Sequence, residues 1–96
     1  MNILITYDIN VQSKEGRRRL NRMAKICLNY GQRVQNSVYE CDLDSGQLFQ
    51  LKQEVQETYN AKEDSVRIYK LGKNYKQSVL HYGIKEVLAP GDPIIF

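Results

Sequence analysis

The chain has 96 residues, 42% hydrophobic, 26% charged and 9% aromatic, with no tryptophan and a formal net charge of +3. That suffices for one domain with a modest core, in a balance that argues against disorder. Length excludes the dinucleotide, flavin and ATP folds, the single histidine excludes a His-rich metal site or a Ser-His-Asp triad, and no apolar run approaches the ~20 residues of a membrane helix.

Residues 2–9 (NILITYDI) are β-rich, with Ile3, Ile5 and Tyr7 on one side and Leu4, Thr6 and Asp8 on the other. Both sides are apolar until Asp8, which predicts a central strand covered on both faces. Residues 10–14 form a polar loop, and Ser13 is the expected N-cap of a helix over 14–30. Leu20, Met23, Ala24 and Cys27 give that helix its core stripe, and Gly31 is expected as its left-handed C-terminal residue. Residues 32–43 are strand-like around a polar interruption at Gln35-Asn36-Ser37, predicting one bent strand or two short ones.

Asp44-Ser45-Gly46 caps a second helix with the stripe Leu48, Leu51, Val55 and Tyr59. A turn at 60–64 leads to a strand at 65–71, a basic loop at 72–76 and a further short strand at 78–82. A Pro/Gly turn then precedes the apolar end Ile94-Ile95-Phe96. Cys27 and Cys41 lack the spacing of a zinc or redox pair and read as small buried side chains.

The order β-α-β-β-α-β predicts an α+β ferredoxin-like domain, an antiparallel sheet with two helices on one face. It is read as one domain over 1–96, with a core to about residue 82 and a dimerisation segment over 83–96. Two helices leave the other face of the sheet apolar and open, and a symmetric homodimer is the economical way to cover it. A cytoplasmic protein without a membrane partner is expected.

Asp8 ends the first strand and is followed by a polar loop. It reads either as a carboxylate capping the loop or pairing with an arginine, or as a metal ligand. Mg²⁺ takes one or two carboxylates and completes its shell with water and substrate phosphate, so two copies of Asp8 across a two-fold axis would serve. On the first helix Arg18, Arg22 and Lys25 fall on the solvent face, while Arg17 and Arg19 flank the core stripe. The charge reads either as a solvated helix face or as a phosphate-binding one. Glu15 is the sole acid on that helix, so local salt bridges do not account for it, which favours phosphate binding. Arg33, Lys73, Lys76 and Lys85 would extend the basic surface.

Ser37 suits either a turn or a phosphate contact, and Tyr7 and Tyr39 either sheet packing or stacking on a base. His81 reads as a packed or surface side chain. Phe49 falls on the outer side of the second helix, where it is incidental or marks a partner face.

ITYDI at 5–9, the arginine-rich first helix, YGQRVQNSVYEC at 30–41 and DPIIF at 92–96 resemble one family across essentially the whole chain. It is CRISPR-associated protein two, the small nuclease of CRISPR adaptation and antiviral defence. The resemblance implies a ferredoxin-like homodimer whose C-terminal strand packs on the partner subunit, with Ile94, Ile95 and Phe96 at the interface. It implies that Asp8 is a catalytic Mg²⁺ ligand shared by the two subunits, in a metal-dependent endonuclease acting on single-stranded RNA or double-stranded DNA. Tyr7, Arg17, Arg19, Arg33 and Tyr39 match positions linked to nuclease function, with Tyr39 where phenylalanine is usual. The family also bridges copies of the CRISPR integrase during spacer acquisition. The alternatives are a DNA-binding scaffold without catalysis and an mRNA-cleaving toxin of related fold.

Overall fold

Alternation along Asn2–Asp8 sends Ile3, Ile5 and Tyr7 into the core and makes this segment the inner strand β1. The computed structural model describes residues 1–83. After β1 come α1 (Lys14–Tyr30), β2 (Gln32–Gln35), β3 (Val38–Asp42), α2 (Ser45–Thr58) and β4 (Ser65–Leu71), then a 3₁₀ turn at Tyr75–Ser78. The sheet has the order β2-β3-β1-β4 with every pairing antiparallel. This is the ferredoxin-like α+β arrangement expected from the element order.

Both helices start on side-chain caps. Ser13 Oγ accepts from the Gly16 N–H at 3.0 Å, and Asp44 forms a reciprocal capping box with Gln47. From α1, Met23, Ile26 and Cys27 are buried; from α2, Leu48, Leu51 and Val55 join them. They close over Ile3, Ile5, Tyr39 and Cys41 of the sheet. Each large apolar side chain so buried contributes roughly 1.5–3 kcal/mol. Both cysteines are free, and burial pushes the Cys27 thiol up to about 12 and Cys41 to about 11, so they serve as packing groups.

The polar interruption resolves as a hairpin: β2 and β3 are separate strands joined at Asn36-Ser37, and Ser37 occupies the left-handed region at φ 66°. The expected interface residues Ile94, Ile95 and Phe96, together with Lys85 and nearly all of segment 83–96, lie outside the described residues.

Four expectations are corrected. No strand forms at 78–82, where a 3₁₀ turn ends at Ser78 and Val79, Leu80 and Tyr82 are exposed. Tyr59 is the exposed C-cap of α2 rather than core, and Thr58 is buried in its place because the helix stops one residue short. The second face of β1 is only half covered by the described residues, with Leu4 and Thr6 partly exposed. Gly31 has φ −161°, an extended conformation open to any residue. Its role is clearance: a Cβ there would collide with the Glu40 carbonyl and the Cys41 sulfur of β3.

Gly31→Ala should therefore cost about 1–3 kcal/mol through overpacking. Gly72→Ala, where a Cβ meets nothing within 4 Å, should stay within about 0.5 kcal/mol. Urea denaturation midpoints of the two variants check the contrast.

Candidate functional site

Consecutive residues of a strand point to opposite faces, and the end of β1 uses this directly. Tyr7 turns into the core while Asp8 turns outward, exposed, on the side of Leu4 and Thr6 that no helix among the described residues covers. In the ladder Asp8 lies opposite Ser65 at the start of β4. Its carboxylate makes no hydrogen bond or ion pair among the described residues, so the loop-capping and arginine-pairing alternatives find no partner there.

Behind Asp8 stands a buried polar network. The Tyr7 and Tyr39 hydroxyls are 3.1 Å apart and their rings stack at 5.9 Å between centroids. Arg33 Nε donates to the Tyr39 hydroxyl at 2.9 Å, a second guanidinium nitrogen reaches the same oxygen, and the guanidinium lies over the Tyr39 ring. Burial raises the Tyr7 pKa, reinforced by its bond to Tyr39. For Arg33 burial works against the charge, but the hydrogen bond to Tyr39 and the two phenols hold it protonated. Arg33 is only 7% exposed and Tyr39 fully buried. These side chains support the sheet from within, and Arg33 does not extend the surface charge. Ser37 is brought to the same end of the sheet, where its carbonyl accepts from the Tyr7 N–H at 3.2 Å.

Along α1 the structure divides the arginines. Arg17, Arg18, Arg22 and Lys25 are exposed, with Arg17 also donating to the Val11 carbonyl at 3.3 Å. Arg19 is engaged elsewhere: its Nε donates to Asp64 at 2.7 Å, and a terminal nitrogen approaches Asp64 at 3.2 Å and Glu63 at 3.4 Å. The carboxylates come from the α2–β4 turn, which a count of acids along α1 does not see. Of the remaining cations, Arg17 lies in the first turn of α1, where the helix dipole disfavours positive charge and favours an anion.

Asp64 is the buried acid of this region that sequence reasoning missed. Its side chain is fully buried and accepts from the backbone N–H of Asn10 at 3.0 Å and of Asn60 at 2.8 Å, besides Arg19. The signal is weak: an Asp in a turn, just before a strand. Burial alone would raise its pKa, but Arg19 and the two amides hold it below the ordinary carboxylate range.

On α2, Phe49 is 62% exposed beside Tyr30, Gln53 and Glu57. The Tyr30 hydroxyl donates to Glu54, which pushes its pKa up to about 12. His81 is exposed. Among the described residues no group of three His, Cys, Asp or Glu side chains converges to hold a metal, and no helix is long and apolar enough to cross a membrane.

Because its folded pKa is lowered, Asp64 stabilises the fold fully above about pH 4, and this contribution drains away as pH falls below that. Asp64→Asn should cost about 1.5–3 kcal/mol at neutral pH. The gap from the unaltered chain should hold between about pH 5 and 8 and close in stronger acid. Urea titrations across that range check it.

The family model described as CRISPR associated protein Cas2 matches residues 1–79. The CRISPR-associated endonuclease Cas2 of Halalkalibacterium halodurans is 52% identical over 96 residues, covering 100% of both chains. The CRISPR-associated endoribonuclease Cas2 of Chlorobaculum tepidum is 49% identical over 86 residues, 90% of each. The crystal structure of Streptococcus pyogenes Cas2 at pH 6.5 superposes with a TM-score of 0.79 at 43% identity, covering 86% of this chain and 100% of that one. A ferredoxin-like sheet with an unpartnered strand-end carboxylate on one side and a basic helix on the other thus comes with full-length sequence relatives, and the chain belongs to the CRISPR-associated Cas2 family.

Proposed function

We propose that this chain acts in CRISPR adaptation as a homodimer that binds nucleic acid and bridges the integrase during spacer acquisition, and that it hydrolyses phosphodiester bonds with Mg²⁺. The observation that carries the hydrolytic reading is Asp8, exposed and unpartnered at the end of an inner strand. Relatives named endonuclease and endoribonuclease support it. One carboxylate per chain suits Mg²⁺, which keeps much of its water, provided a second Asp8 comes from the partner copy. Bound there, Mg²⁺ would supply polarisation of a phosphate oxygen and a more acidic water.

The chain's own contribution is position and charge. Asp8 is held at the rim of the sheet by its ladder with β4, and Arg17, Arg18, Arg22 and Lys25 draw the sugar–phosphate backbone toward that rim. Tyr7, Tyr39 and Arg33 support β1 from behind, and Ser37 closes the hairpin beside it. The open face of the sheet, with Leu4, Thr6, Val38 and Leu71 half-buried and Tyr69 at 41% exposure, is the surface we assign to the partner copy, joined by Ile94, Ile95 and Phe96. A bridging role without hydrolysis is the second reading, favoured by a basic face of α1 that is complete without Asp8.

Asp8→Ala should reduce Mg²⁺-dependent cleavage of single-stranded RNA and double-stranded DNA to background while sedimentation still shows a dimer. Undiminished cleavage by the purified variant rejects the role of Asp8. The double reversal Arg18→Glu and Arg22→Glu should weaken binding to DNA of any sequence and flatten the salt dependence, by a log–log slope of about one per lost phosphate contact. An unchanged slope would remove this helix from the DNA path.

A further inference from the structure

We propose that Asp64 is a positioning residue for Asp8, an inference that rests on the metal-carboxylate reading above. One buried carboxylate ties together three segments that meet beside Asp8. It accepts from the Asn10 N–H at 3.0 Å, two residues beyond Asp8 on the loop leaving β1. It accepts from the Asn60 N–H at 2.8 Å across the turn before β4. It accepts from Arg19 of α1 through two nitrogens, at 2.7 and 3.2 Å. The next residue, Ser65, is the ladder partner of Asp8 itself. These four hydrogen bonds use the acceptor capacity of a carboxylate, which leaves Asp64 no room to bind a metal.

A strand end is where a ladder frays, and the chain beyond Asp8 enters a loop. Without the clasp at Asn10, the loop and the backbone of Asp8 lose their hold on β4 and α1. A reacting geometry displaced by about 1 Å can cost on the order of 100-fold in rate. A site assembled from two copies of Asp8 takes that displacement twice. The other flank is held independently by the Ser37 carbonyl on the Tyr7 N–H, so losing Asp64 loosens one side of Asp8 and leaves the strand in place. Arg19 belongs to this clasp rather than to the phosphate track.

Asp64→Asn keeps the shape but turns an NH₂ group toward two of the four donors. The test compares the intact chain, Asp64→Asn and Asp8→Ala at a temperature where circular dichroism shows all three folded. Two readouts are taken: kcat and KM for Mg²⁺-dependent cleavage of single-stranded RNA, and Mn²⁺ affinity by electron paramagnetic resonance without nucleic acid. Asp64→Asn should lower kcat about 10- to 100-fold with KM within about twofold, because the cations of α1 are untouched, and should weaken Mn²⁺ binding. Wild-type kcat and Mn²⁺ affinity in folded Asp64→Asn overturn the proposal. If Asp64→Asn does not fold, Arg19→Lys, which keeps the charge and loses the fork, decides by the same two readouts. Cleavage and Mn²⁺ binding by Asp8→Ala equal to the intact chain overturn the parent reading, and the positioning role falls with it.

Discussion

The position of Asp8 is set by the double pairing of β1. An inner strand hydrogen-bonded on both edges cannot shift by one residue without turning its buried set outward. In the observed register Ile3, Ile5 and Tyr7 face the helices, and Asp8 has one available direction, away from them. The hydrophobic demand of three buried side chains thereby aims a carboxylate at the uncovered side of the sheet.

The network behind β1 adds specificity to that demand. A guanidinium buried against two phenols with no carboxylate is costly unless its donors are satisfied, and no buried side-chain nitrogen or oxygen among the described residues lacks a partner. The bulge between Arg33 and Gln35 belongs to the same device, since it interrupts regular alternation on β2 beside the residue that places its charge on Tyr39. A register error in β2 would leave Arg33 without its phenol, so the polar core discriminates against misalignment more strongly than apolar packing alone.

What could be read from the sequence was what depends on neighbours in the chain. The strand ending at Asp8, the helix from Ser13 to Tyr30, the Asp44 cap and the exposure of Phe49 all follow from local spacing, and the structure has them. Asp8 stands out locally as the acid that ends an apolar strand, and resemblance along the full chain supplies the family. What escaped depends on contacts between distant segments. Arg19 was counted among free cations because its acids lie 44 and 45 residues away. Arg33 was placed on the surface because its burial requires the hairpin, the bulge and Tyr39 together. Gly31 was assigned a left-handed role by position after a helix, whereas the approach of β3 explains it.

Charge and carboxylate are separated by the thickness of the sheet. The basic face belongs to α1 on one side, Asp8 to the other, and the loop over residues 9–13 joins them around the rim. On the proposed reading, a backbone of phosphates following α1 would reach the carboxylate by turning over the end of β1. Binding and hydrolysis therefore place different demands on the fold: the first needs an exposed row of cations, which one chain already has. The second, on the proposed reading, needs a second Asp8, which a symmetric partner across the open face would supply. On this reading a change at the open face would remove cleavage while each separate chain kept its affinity for a polyanion. The converse holds for a change on α1, which would weaken capture and leave the carboxylates where β1 puts them.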